Sequence, residues 1–161
     1  MIVMIDAGSA SASEIISGAF QDHKRSWIVG ETSFGKATVQ SVGPGWNNNS
    51  RVAQARTTQR FYQPTGRTNQ IVGIKPDFEV PVKPNATDEE RFALREGDIF
   101  LNALEPEGKK WAQERQEEVN KIQGCLNDGK KADLLYDPVK AANDESDFQL
   151  LKAQEVLSCD K

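Results

Sequence analysis

Histidine and cysteine are scarce in this chain: His23 stands alone, and Cys125 and Cys159 are its two cysteines. With no CxxC pair and no Cys/His cluster, no metal site is expected. The cysteines leave two readings open, a disulfide in an oxidising compartment or two separate buried thiols. No apolar run reaches the ~18 residues that a membrane span needs. Basic stripes with interleaved aromatics are also missing, which gives no support to a nucleic-acid partner. Internal repeats and low-complexity tracts do not occur. The opening MIVMID has neither a basic leader region nor a small-residue cleavage site, so it is not a secretory signal. It reads as a strand from the outset, as expected of a piece of a longer protein.

What is present is ordinary for a folded domain: 161 residues, 37% hydrophobic and 27% charged. The net charge of −4 is unevenly spread. Residues 1–83 hold nine Lys and Arg against six Asp and Glu, whereas residues 84–161 hold 11 against 18. Two regions of different character follow from this split, 1–83 and 84–161.

Residues 2–5 form an apolar run of strand length. Ala12, Ile15, Ile16, Ala19 and Phe20 then recur at helical spacing, which predicts an amphipathic helix over 11–23. SWIVGE (26–31) predicts a short buried strand. Val39 and Val42 predict another, broken by the turn-rich GPGWNNNS (43–50). ARTTQRFYQ (55–63) has strand composition, PTGR (64–67) supplies a turn, and the prolines keep 71–84 extended. Beyond Pro84, helices are expected near 87–104 and 108–123, another beginning at Asp137-Pro138, and a closing one over 147–157. The order predicts an α/β core with a helical C-terminal region.

Two stretches carry candidate chemistry. In GSASASE (8–14), Ser11 and Glu14 fit a capping box ahead of the apolar helix. The same position suits a nucleophile, because a helix N-terminus offers free N–H groups and partial positive charge to an oxyanion. GETSFGK (30–36) has the spacing of a P-loop. Ala37 stands where a magnesium-binding Ser or Thr is required, however, and a β-type sequence follows instead of a helix. Lys36 has another use. An exposed lysine is protonated at neutral pH, but burial near a helix N-terminus disfavours the ammonium, and a neutral lysine can serve a serine as base. Gln40 could orient it. Spacing alone favours the plainer readings, Lys36 as a surface loop residue and Gln40 as a polar strand residue.

The segment GSASASEIISGAFQDHKRSWIVGETSFGKATVQSV resembles the active-site segment of carboxyl-terminal processing (tail-specific) proteases, the S41 serine peptidases. ARTTQRFYQPTGRTNQIVGIKPDFEV looks like their following strands, and DFQLLKAQEVL is similar to their closing helix. The resemblance covers residues 1–83 and then 147–157. It implies a partial crotonase/ClpP-like β-β-α peptidase core within an α/β fold. It further implies Ser11 as nucleophile, Lys36 as general base, Gln40 as the residue that positions the lysine, and Ala12 N–H as an oxyanion donor. Ser9 and Ser13 fall back to local structure, and Glu14 to support of the helix start. The implied parent is an exported, periplasmic serine endopeptidase without cofactor or metal, acting on proteins with unstructured C-termini. The family's N-terminal part with its PDZ domain is missing here, so the chain alone is expected to be weakly active or inactive. Residues 84–146 match nothing in the family. They are read as an insertion or, in preference, as a surface for a homo-oligomer. A non-catalytic binding or assembly module on the same fold is the competing reading.

Overall fold

The computed structural model describes residues 1–45, 52–81, 94–109, 115–128 and 148–160. β1 (Ile2–Ile5), α1 (Ala12–Asp22) and β2 (Trp27–Gly30) form a β-α-β unit with parallel strands, Ile2 opposite Trp27 and Ile5 opposite Gly30. A third parallel strand, β5 (Phe78–Glu79), joins the far side of β2, giving the order β1-β2-β5. Between them in sequence lies an antiparallel hairpin of β3 (Thr38–Pro44) and β4 (Ala53–Arg60), with an irregularity between Val39 and Gln40. Among the described residues three helices follow: α2 (Glu96–Ile99), α3 (Gln116–Asn127) and α4 (Phe148–Cys159). This is the expected α/β core with C-terminal helices.

β2 is central and buried at all four positions, as a parallel strand covered on both faces must be. Its side chains alternate between two clusters. Trp27 and Val29 join Phe78, Val80, Ile122, Ala153 and Val156, beneath α3 and α4. Ile28 instead joins Ile5 and Ile74. Trp27 meets Phe78 edge to face at 5.5 Å, and the Arg115 guanidinium lies 3.7 Å over the indole while donating to Ser26 O. A disulfide joins Cys125 of α3 to Cys159 of α4, which settles the question the sequence left open.

Several expectations need correction. α1 does not turn its apolar stripe inward: Ile15 is 44% and Ile16 56% exposed, while Glu14, Ser17, Gly18 and Gln21 are buried. The helix is held to residues 63–77 by polar bonds. Gln63 Nε2 donates to Glu14 O, Gln21 Nε2 to Lys75 O, and Arg67 Nε to Asp22 Oδ1 at 2.7 Å. Gly18 leaves room for that contact, since a Cβ there would lie 2.4 Å from the Gln63 amide. Of the helix expected near 87–104, the described residues 94–104 hold only the four residues of α2, and within the span expected at 108–123, α3 occupies Gln116 onward and runs on to Asn127. Residues 82–93 and 110–114, most of the GPGWNNNS turn and the Asp137-Pro138 cap lie outside the described residues.

Asp77 explains the acid of the GIKPD element. Its Oδ2 accepts the Ile28 N–H at 2.8 Å and its Oδ1 the Gln21 amide at 3.3 Å, which ties β2 to α1. Burial raises its carboxyl above the ordinary range, against the opposing pull of the Ile28 N–H, Arg115, Gln21 and Arg67. The same burial lowers the Arg67 guanidinium, opposed by Asp22 and Asp77.

Candidate active site

The sharp turn from β1 into α1 places Ser11 at the helix start with φ 55° and ψ −109°. A positive φ in a non-glycine residue is sterically disfavoured, at roughly 1–3 kcal/mol, and persists only where neighbours enforce it. Here the neighbours are identifiable. Ser9 Oγ and Asp6 exchange hydrogen bonds at 3.0–3.1 Å, and Ser9 O accepts the Phe34 N–H. The capping-box pair is in place, but its weight falls on the carboxylate: Glu14 Oε2 accepts the Ser11 N–H at 2.9 Å, whereas the Ser11 hydroxyl makes no cap hydrogen bond of good geometry. The hydroxyl is thus not consumed by the helix. Ala12 N–H, at the first helical position, has no acceptor among the described residues.

Glu14 does more than start a helix. Its carboxylate is fully buried and accepts four hydrogen bonds. Oε2 takes the N–H groups of Ser11 and Lys36, the latter at 2.8 Å, and Oε1 takes the Ser33 hydroxyl at 2.6 Å and the Gly35 N–H at 2.8 Å. One side chain therefore fixes both the Ser11 turn and the loop that carries Lys36. Sequence reasoning placed Glu14 in a supporting role. The SxxE spacing gives its bond to Ser11, but its three partners at residues 33, 35 and 36 are visible only in three dimensions.

Lys36 is half-buried. Its Nζ donates to Gln40 Oε1 at 2.5 Å and approaches Thr38 Oγ1 at 3.4 Å. Gln40 is steadied in turn, its Nε2 donating to Thr38 Oγ1 at 2.9 Å and to Thr57 Oγ1 at 3.3 Å. Among the described residues no hydrogen bond joins the Ser11 hydroxyl to the Lys36 amine. They share the Glu14 anchor instead. The backbone around Lys36 is held from the other side by two residues absent from the sequence reading. Gln70 Oε1 accepts the Ala37 N–H at 2.9 Å, and Asn69 Nδ2 reaches Lys36 O at 3.4 Å. Both are buried amides. A strand, β3, follows the GETSFGK loop directly, so the loop lacks the helix that a phosphate cradle requires.

The sequence has counterparts among known proteins. Residues 1–80 match the model of peptidase family S41. The chain is 49% identical over 80 residues to a carboxy-terminal-processing protease of Bartonella bacilliformis, covering 50% of this chain and 18% of that one. It is 37% identical over 88 residues to the chloroplastic C-terminal processing peptidase of Tetradesmus obliquus, covering 55% and 18%. Against the tail-specific protease of Haemophilus influenzae, identity is 35% over 103 residues, covering 58% and 15%. Among solved structures, a photosystem II D1 C-terminal processing protease is similar with 34% identity and a TM-score of 0.44, over 53% of this chain and 22% of that one. The chain spans about a fifth of the length of the curated relatives it matches. Through residues 1–80, then, this chain belongs to peptidase family S41.

Proposed function

We propose that the protein is a serine endopeptidase that cleaves protein substrates near unstructured C-termini, with Ser11 and Lys36 as a dyad. The observation that carries this reading is the single buried Glu14 carboxylate holding the backbone of both residues, with the Ser11 hydroxyl left unspent. Lys36 Nζ takes the Ser11 Oγ proton as Oγ bonds to the scissile carbonyl carbon. The Ala12 N–H donates to the oxyanion that develops. As the C–N bond breaks, the Lys36 ammonium returns its proton to the leaving amine, and water then hydrolyses the acyl-enzyme. Gln40 holds the lysine on its trajectory through the hydrogen bond to Nζ. The positive φ at Ser11 supports the reading as well, because strained serine turns between strand and helix are a known way to present a nucleophile.

The Cys125–Cys159 bond, together with relatives named as chloroplastic, supports an exported location. Partners are protein or peptide chains with free, unstructured ends; association with further copies is a separate proposal, tested by the mass in solution.

The test is cleavage of an unfolded protein by the full-length protein. Ser11→Ala and Lys36→Ala should each abolish it, and near-normal turnover in Lys36→Ala removes the lysine from the mechanism. This chain assayed alone is expected to cleave weakly or not at all; efficient Ser11-dependent cleavage by it contradicts that. The competing reading, a binding or assembly module, requires that a serine-directed covalent probe leave Ser11 unlabelled.

A further inference from the structure

Arg95 lies in the acidic C-terminal region, beyond residues 1–80 that match the family model. It nevertheless reaches the Lys36 loop. Its Nε donates to Ser33 O at 3.0 Å, and its Nη2 to Val72 O at 2.7 Å and Ile71 O at 3.2 Å. A single planar fork thus bridges two loops, 33–37 and 69–74. The neighbouring Glu96 N–H adds a bond to Phe34 O at 3.1 Å. Arg95 is itself held, since its own N–H donates to Asp98 Oδ2.

The 69–74 turn needs such a brace. Ile71 has φ 65°, a conformation that a β-branched residue adopts only under constraint. Its N–H donates to Gly35 O at 2.7 Å, and its carbonyl faces Arg95. Gly73 leaves room for the guanidinium: a Cβ there would lie 2.6 Å from Arg95 Nη2 and 2.4 Å from Ser33 O. This turn supplies Asn69 and Gln70, which bind Lys36 O and Ala37 N–H. The chain of contact runs from Arg95, through the turn, to the peptide groups on either side of Lys36.

We propose that Arg95 is a positioning residue for Lys36, clamping the 33–37 loop to the 69–74 turn from outside the family-matched segment. The proposal rests on the Ser11–Lys36 reading. Losing the clamp frees the loop to move, and displacement of a catalytic group by about 1 Å lowers turnover on the order of 10²-fold. The full-length protein should be compared as wild type, Arg95→Ala and Arg95→Lys. In both variants kcat should fall by about that factor with KM unchanged, because a lysine offers one point donor where three carbonyls need a fork. The rate at which a fluorophosphonate labels Ser11 separates positioning from general loosening. Arg95→Ala should slow labelling in the wild type but slow it no further when added to Lys36→Ala. An equal slowing in both backgrounds, a loss confined to KM, or unchanged kcat in Arg95→Lys overturns the proposal. If Arg95→Ala does not fold, Arg95→Lys carries both measurements. Lys36→Ala labelling as fast as the wild type would instead overturn the dyad, a result distinguishable from any failure of Arg95.

Discussion

Replacing Glu14 by Gln changes one oxygen to an NH2 group and removes the charge, with almost no change of volume. The amide can turn either way. With its oxygen toward Ser11 and Lys36, both N–H groups keep an acceptor, and the NH2 faces Ser33 and Gly35. Ser33 can adapt by accepting, but the Gly35 N–H then points at a donor. The opposite orientation strands the Ser11 and Lys36 N–H groups together, so the first is favoured. An orphaned buried donor costs about 1–3 kcal/mol, and each remaining bond weakens by about 1 kcal/mol on losing its charged acceptor. The expected loss is about 3–5 kcal/mol, a large share of the ~5–15 kcal/mol that stabilises a typical domain. Urea unfolding at neutral pH should show it as a lower midpoint with an unchanged slope. Cleavage by the full-length protein should fall even at temperatures where the variant remains folded. A loss below about 1 kcal/mol would refute the assignment of Glu14 as the shared anchor, since four made bonds cannot be dispensed with so cheaply.

Gly18→Ala places a Cβ 2.4 Å from the Gln63 amide, which is itself bonded to Glu14 O, so overpacking should lower stability by about 1–3 kcal/mol; a neutral substitution would mean that α1 does not dock on this face. Asp77→Asn tests the pH dependence. The Asp77 carboxyl is raised by burial, so the folded protein binds its proton more tightly than the unfolded chain does, and stability falls as pH rises from about 3.9 through the folded value. The variant should lose less stability than wild type across that window in urea titrations at stepped pH; parallel curves contradict this. Breaking the Cys125–Cys159 link, which closes a separation of 34 residues, should cost about 2–4 kcal/mol on comparing unfolding with and without reductant. Identical midpoints would show that the bond constrains nothing.

The beginnings and ends of elements were legible where local chemistry sets them. SxxE marks the start of α1, and WIVG yields a fully buried β2 because a short run without polar side chains suits a covered parallel strand. The burial of α1 was not legible. Hydrophobic periodicity pointed to Ile15 and Ile16, yet a carboxylate with four donors and a glycine fitted against Gln63 decide which side faces inward. The contact between Lys36 and Gln40 suits an i, i+4 pair across a loop-to-strand junction, and the family resemblance drew attention to it. Asn69, Gln70 and Arg95 carried no such signal, because polar residues in turns look alike until their partners are known. The weakly patterned Glu- and Lys-rich stretch overstated helix at 96–104, where Arg95 and Glu96 are engaged with the Lys36 loop rather than with a longer helix.

The Glu14 carboxylate also has a consequence for how the site opens. The amide protons of Ser11, Gly35 and Lys36 all end on the same two oxygens. None of them can reach solvent by a private fluctuation; each is released when the carboxylate withdraws. Hydrogen exchange at these three positions, two in the loop and one in the turn before the helix, should therefore report a common opening free energy. On that expectation the serine arm and the lysine arm open as one latch.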